Sequence, residues 1–304
     1  MKARMTFSPI DSLRTLPLLH AGQPDPTGWL WSDWTVAPTV VLGVLALVVA
    51  YLAWTGPLNR RRPGAADRPV APGQVAAFLG GAATLLIALG PPLDDWADHY
   101  LVSAHMVQHL LLTLVVPPLL LYGTPAWLLR PILRHRLLAR IGFALTRPVV
   151  AFALANGVFA LWHVPALYDA ALRSEPVHVL EHLLFLGTAV LAWWPVLGPL
   201  PEWPRLSLPL QCVYYFALTI PGGLIGSFIT LAQPGLYQPY DAARRIFGLD
   251  LATDQQVAGL LMWVVTSTIY LLLITITFFR WAAREEAAER GQPPSGQTSP
   301  AAGG

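Results

Sequence analysis

The chain has 304 residues and a mean hydropathy of +0.52. Only 12% of residues are charged, against about 25% in ordinary soluble domains. The formal net charge is +2, and no nucleic-acid partner is expected; the single Cys212 rules out an internal disulfide and a CxxC metal or redox motif and reads as a packing residue.

Residues 1–35 carry Pro, Gly, Asp and the tryptophans Trp29, Trp31 and Trp34. They read as an outer N-terminal arm whose indoles suit an aromatic belt at the headgroups. The first apolar block begins near Pro38, too late for the hydrophobic region of a signal peptide. Seven apolar blocks follow at about the 20-residue length that crosses a bilayer: roughly 36–54, 74–92, 105–125, 149–165, 178–197, 209–231 and 256–278, the fourth being short. The expected fold is all-α, a polytopic seven-transmembrane helix bundle filling 36–280, followed by a cytoplasmic flexible tail at 281–304.

Within the blocks, VVPPLLLYGTP is expected to kink the inner end of the third span, because each proline lacks an N–H and crowds the preceding turn. Tyr168 and Asp169 are expected to start an outer loop. PGGLIGSF offers small residues for close backbone approach, or an irregular segment beside a cavity. Asp254 is placed as a cap for the seventh span, and Gln255 as a liner of a polar site.

Loop charge sets the orientation. Arg60, Arg61, Arg62, Arg68, Arg130, Arg134, Arg136, Arg140, Arg147, Arg205, Arg280, Arg284 and Arg290 fall on one side, thirteen basic residues against six on the other. The positive-inside rule puts the thirteen in the cytoplasm, which leaves the N-terminus outside and the C-terminus cytoplasmic. The stretch RPILRHRLLAR in that set reads as a basic amphipathic surface attracted to membrane lipid, with His135 a part of it.

This orientation gathers the histidines. The third block opens HMVQH and the fifth opens HVLEH, so His105/His109 and His178/His182 are each an i, i+4 pair on one helix face. His163 in WHVP ends the fourth block, and His99 precedes the first pair. All of these fall at outward ends. Two such pairs can surround one or two metal ions, and imidazole suits copper, zinc and iron. Asp98 and Glu181 are the local carboxylates. Glu181, inside a span, is expected to be paired with an imidazole or to be a ligand. Met106 and Met262 read more as helix filler than as soft ligands.

The segments DHYLVSAHMVQHLLL, PPLLLYGTP, LWHVPALYDAAL, HVLEHLLFL, PGGLIG and DQQVAGLLMW together resemble the heptahelical cytochrome c oxidase assembly factors of the CtaG type, over about residues 91–263. The single-span, cysteine-containing copper chaperone that shares the label is a different family. The resemblance implies a non-enzymatic role in the bacterial plasma (inner) membrane, maturing a haem–copper respiratory oxidase. It implies metal positions at Asp98, His105, His109, His163, His178, Glu181 and His182. Copper would arrive from a periplasmic or extracellular donor and pass to an immature oxidase subunit. The alternatives are a membrane haem protein, a di-metal enzyme using iron or zinc, and a metal transporter.

Overall fold

The computed structural model describes residues 37–60, 70–203 and 205–291. The expected outer arm with its tryptophans, and Arg61, Arg62 and Arg68, lie outside the described residues. Every regular element among them is helical: α1 (Pro38–Thr55), α2 (Pro57–Arg60), α3 (Pro72–Ala88), α4 (Leu93–His99), α5 (Val102–Leu110), α6 (Val116–Gly123), α7 (Ala126–Leu133), α8 (Arg136–Leu145), α9 (Pro148–Trp162), α10 (Pro165–Arg173), α11 (Glu175–Leu197), α12 (Leu208–Leu231), α13 (Leu251–Leu260) and α14 (Thr266–Glu289). A π turn, Leu111–Val115, joins α5 to α6, and another, Leu261–Val265, joins α13 to α14. A short 3-10 turn, Gln238–Tyr240, sits in the connection between α12 and α13.

Six helices among the described residues are long and apolar enough to cross a membrane, and α8 with α9, bent by 71°, would make a seventh. The short fourth block is thereby explained: α9 has 15 residues, a rise of about 22 Å, short of the ~30 Å hydrocarbon core. Proline opens α1, α3, α9, α10, α11 and α12. At a first helical turn the missing N–H has no intrahelical partner to lose. Large apolar side chains on the bundle's outside, among them Leu42, Leu45, Phe216, Leu224, Phe228 and Leu231, are exposed. On a soluble protein such a surface would aggregate; against lipid tails it is solvated.

The helices meet where side chains are small. Gly226 of α12 faces Gly259 of α13, and a Cβ on Gly226 would lie 2.7 Å from the Gly259 carbonyl. The close approach read from PGGLIGSF is therefore made, and α12 runs as a helix through Pro221. A Cβ on Gly259 would meet Thr230 Oγ1 and the Gly226 carbonyl. Gly259→Val is expected to destabilise the fold by about 1–3 kcal/mol, the usual cost of overpacking. Unfolding in mixed micelles measures it, and an unchanged midpoint would contradict the contact.

The proline run acts elsewhere than expected. Pro117 and Pro118 open α6, so the disturbance is the π turn at mid-span rather than a kink at the inner end. Pro117 has no N–H to give the carbonyl four residues back, that of Thr113. The Trp193 indole of α11 donates to that carbonyl instead, at 2.8 Å. Tyr51 closes the other flank: it stacks on Phe78 at 3.7 Å and donates to the Gly123 carbonyl at 2.8 Å, tying α1, α3 and α6. Cys212 is half-buried, its thiol 3.8 Å from the Ile274 carbonyl.

Candidate metal centre

One end of the bundle is assembled from the N-terminal turns of α5 and α11, the C-terminal end of α9, and α4. The i, i+4 spacing works as the sequence implies. His105 and His109 stack edge to face at 4.3 Å between ring centroids, and His178 and His182 lie 4.2 Å apart. The two helices then bring the pairs together, with His105 at 5.3 Å from His178 and His109 at 5.6 Å from His182. Two sets of three potential ligands result: His105, His109 and His182, and Asp98, His105 and His178. Within each set the ligand atoms lie within 4.8 Å of one another.

His105 and Glu181 are fully buried, and His109 is 2% exposed. Each carboxylate contacts an imidazole of another helix rather than of its own. Glu181 Oε1 is 3.6 Å from His109 Nε2, and Asp98 Oδ2 is 3.6 Å from His178 Nδ1. His163 is buried and 6.0 Å from His109 by ring centroids, but belongs to neither set; its Nδ1 donates to the Phe159 carbonyl at 2.7 Å. His99 is exposed, with Nδ1 3.2 Å from the Asp95 carbonyl. Met106 and Met262 pack in an apolar cluster with Tyr168, Tyr237 and Tyr240.

The chemistry of the donors fits a cation. His105 Nε2, both ring nitrogens of His109, His182 Nε2 and both Glu181 oxygens are buried and make no hydrogen bond among the described residues. A buried polar group left so costs about 1–3 kcal/mol. Several such lone pairs converging on one small volume match what a bound metal ion repays.

Three tyrosines support the site, and of these Tyr237 and Tyr240 carry no signal in the sequence. Tyr240 stands 3.1 Å from His105 Nδ1, donates to the Ala97 carbonyl at 2.5 Å, and lies 3.4 Å from the Tyr168 hydroxyl. Tyr237 stacks on Tyr168 at 3.8 Å and donates to the His163 carbonyl at 3.2 Å. Burial pushes the Tyr168 and Tyr240 phenols well above their usual range, so both keep their protons. Tyr168 and its neighbour Asp169, expected to start an outer loop, are buried in α10, a short helix within the connection from α9 to α11.

Asp254 and Gln255 also work differently from expectation. The Asp254 carboxylate, fully buried, accepts from the backbone N–H of Val102 at 2.8 Å and Ser103 at 3.1 Å, and from the Ser103 hydroxyl at 2.5 Å. It caps α5, a turn before His105, rather than its own helix. Asp250 caps α13 instead, and the Thr253 backbone N–H and hydroxyl hold its carboxyl below the usual range. Gln255 lines no metal position: it donates to the carbonyls of Ile229, Ala232 and Gln233 and accepts from the Leu236 N–H, closing the end of α12. Gln108, between the two α5 histidines, donates to Asp94 at 2.6 Å and to the Ala88 carbonyl at 2.8 Å, which holds α4 over the site.

Comparison with known proteins adds a family. The family model described as cytochrome c oxidase caa3 assembly factor (Caa3_CtaG) matches residues 49–284. The chain is 23% identical over 279 residues to the uncharacterized protein Mb0105 of Mycobacterium bovis, and equally to MT0111 of Mycobacterium tuberculosis, covering 86% of this chain and 41% of each of those. It is 22% identical over 275 residues to ML1998 of Mycobacterium leprae, covering 85% of this chain and 40% of that protein. The chain thus spans about two-fifths of the length of the curated relatives it matches. No solved structure matches it significantly.

Proposed function

The chain belongs to the cytochrome c oxidase caa3 assembly factor family, and on that premise we propose that it holds copper at the histidine cluster and hands it to an immature haem–copper oxidase subunit in the same membrane. It is a multi-pass protein of the bacterial plasma membrane. The observation that carries the reading is the convergence of His105, His109, His178, His182 and Asp98 into two overlapping ligand sets, with Glu181 and His163 against them. Copper here is cargo. A carrier needs exchangeable ligands and no turnover, so this is a chaperone's role and not an enzyme's.

The proposed orientation puts this end outward, where a periplasmic or extracellular donor reaches it. The support is the basic side of the chain: Arg130, Arg134, Arg136, Arg140 and Arg147 all lie in the 126–147 connection, at the other ends of α6 and α9. In that connection α8 exposes Leu137, Leu138, Ile141 and Phe143 beside its arginines, a surface suited to the anionic headgroups of the cytoplasmic leaflet.

The test is a deletion strain complemented with wild type or with the His105/His109 and His178/His182 double alanine variants. Assembled oxidase and its copper content are expected to fall in the deletion, to return with wild type, and to stay low with either double variant. Normal copper-replete oxidase in the deletion would overturn the reading. A Soret band with stoichiometric haem in the purified protein would replace it with a haem-binding one.

A further inference from the structure

The two ligand sets share one residue, His105, and the hydrogen bonds around it decide how they can be filled. A phenol has one proton to give and two lone pairs to accept with. The Tyr240 proton goes to the Ala97 carbonyl. Its oxygen therefore accepts from His105, and the Nδ1 of His105 carries the hydrogen. The second lone pair of Tyr240 is turned to the Tyr168 hydroxyl. This fixes the imidazole tautomer, since the bond made by one ring nitrogen sets the state of the other. His105 is left with a single coordinating lone pair, on Nε2, which is buried and makes no hydrogen bond among the described residues.

One lone pair binds one cation. From this we infer that the centre holds a single ion at a time, in either of two positions that take turns on His105: an outer one completed by Asp98 and His178, and an inner one completed by His109 and His182. The inference rests on reading the cluster as a metal site, and it answers whether one or two ions bind. It also gives the order of events. The outer set is the more accessible by way of Asp98, whose side chain is 28% exposed. Of the inner set, His105 is fully buried, His109 2% and His182 9% exposed. The outer set carries a carboxylate, which attracts a cation from water; the inner set is three imidazoles. Because His178 and His182 are one turn apart on α11, an ion moving inward exchanges Asp98 and His178 for His182 and His109 while His105 stays attached. No bond but these coordinate bonds changes. Release to the acceptor retraces the path, so the ion is never without a ligand.

Cu(I) titration against a competing chromophoric chelator, under anaerobic reducing conditions in detergent, reads stoichiometry and affinity; stopped-flow mixing reads the loading rate. Wild type is expected to take one Cu(I) per chain. Asp98→Asn is expected to slow loading roughly tenfold, the low end of what a steering charge supplies, with affinity changed less than about threefold. Tyr240→Phe, which removes only the hydroxyl, is expected to lower affinity about 10–100-fold through loss of the tautomer lock. His109→Ala/His182→Ala is expected to weaken retention while leaving the loading rate near that of wild type. Two ions bound per wild-type chain would overturn the shared-ligand inference, and so would an unchanged loading rate in Asp98→Asn. A wild-type protein that binds no Cu(I) would overturn both this inference and the copper-carrier reading beneath it. Size-exclusion profiles of each variant show that losses come from the site and not from unfolding.

Discussion

His105→Ala is expected to remove copper binding and, with it, assembled oxidase. Substituting any other member of the two sets breaks one set and spares the other; this one breaks both, because His105 belongs to each. Loss of a hydrogen-bond partner behind a metal-bound imidazole ordinarily weakens binding about 10–100-fold, so loss of the imidazole itself is expected to exceed about 100-fold. The side chain is fully buried, so alanine also leaves a cavity. The measurement is therefore paired: Cu(I) affinity by chelator competition, and the unfolding midpoint of the metal-free protein. A large loss of affinity with a modest shift in midpoint is the expected result. His163→Ala provides the comparison. Its ring stands in neither set, and it is expected to cost less than about tenfold, the lower bound for a supporting residue. Equal losses from the two substitutions would mean that the assignment of ligands is wrong.

Asp254→Ala is expected to damage the protein at a distance from any proposed ligand. Three donors converge on this buried carboxylate, two of them the backbone N–H groups that open α5. Those groups have no partner within their own helix, and a negative charge at a helix N-terminus is favourable besides. Alanine leaves these neutral donors buried and unpaired, at a cost of about 1–3 kcal/mol for each that finds no other partner. The first turn of α5 then has no reason to hold its place, and His105 lies in the turn that follows. Both the unfolding midpoint and the copper affinity should fall. Asp254→Asn keeps one acceptor oxygen and is expected to fall between the two. A variant with normal stability would show that water or another side chain replaces the cap.

The two predictions draw on parts of the molecule that were unequally legible in the sequence. The histidine pairs could be read because their spacing matches the helical repeat, and because arginine-rich connections locate the ends of the spans. Seven apolar blocks were likewise enough for an all-α bundle, including the shortness of α9. Asp254 stands out in the sequence as a polar residue at the start of a span, but sequence assigns a cap to the nearest helix. Its true partners, Val102 and Ser103, are about 150 positions away. Tyr237 and Tyr240 gave even less signal. They come from the connection between α12 and α13, where aromatic residues have no periodicity to mark a direction, and only the folded chain puts Tyr240 against His105. Glu181 stands out by the cost of a carboxylate in a membrane, yet its contact is across to His109 and not along its own helix. Pair partners of this kind are settled by packing between helices, which side-chain spacing within one helix does not encode.

The π turn at Leu111–Val115 has a further consequence, one of phase. An α-helix advances about 100° per residue, and a π turn accommodates one residue more than an α turn. The stretch bearing His105 and His109 is therefore offset in angle from the stretch beyond it, α6, which is fitted against α3 and α11. A continuous α-helix with the same α6 contacts would aim both imidazoles elsewhere by nearly a third of a turn. The surplus residue acts as a fixed angular correction between a half of the span shaped for packing and the half that presents the two histidines.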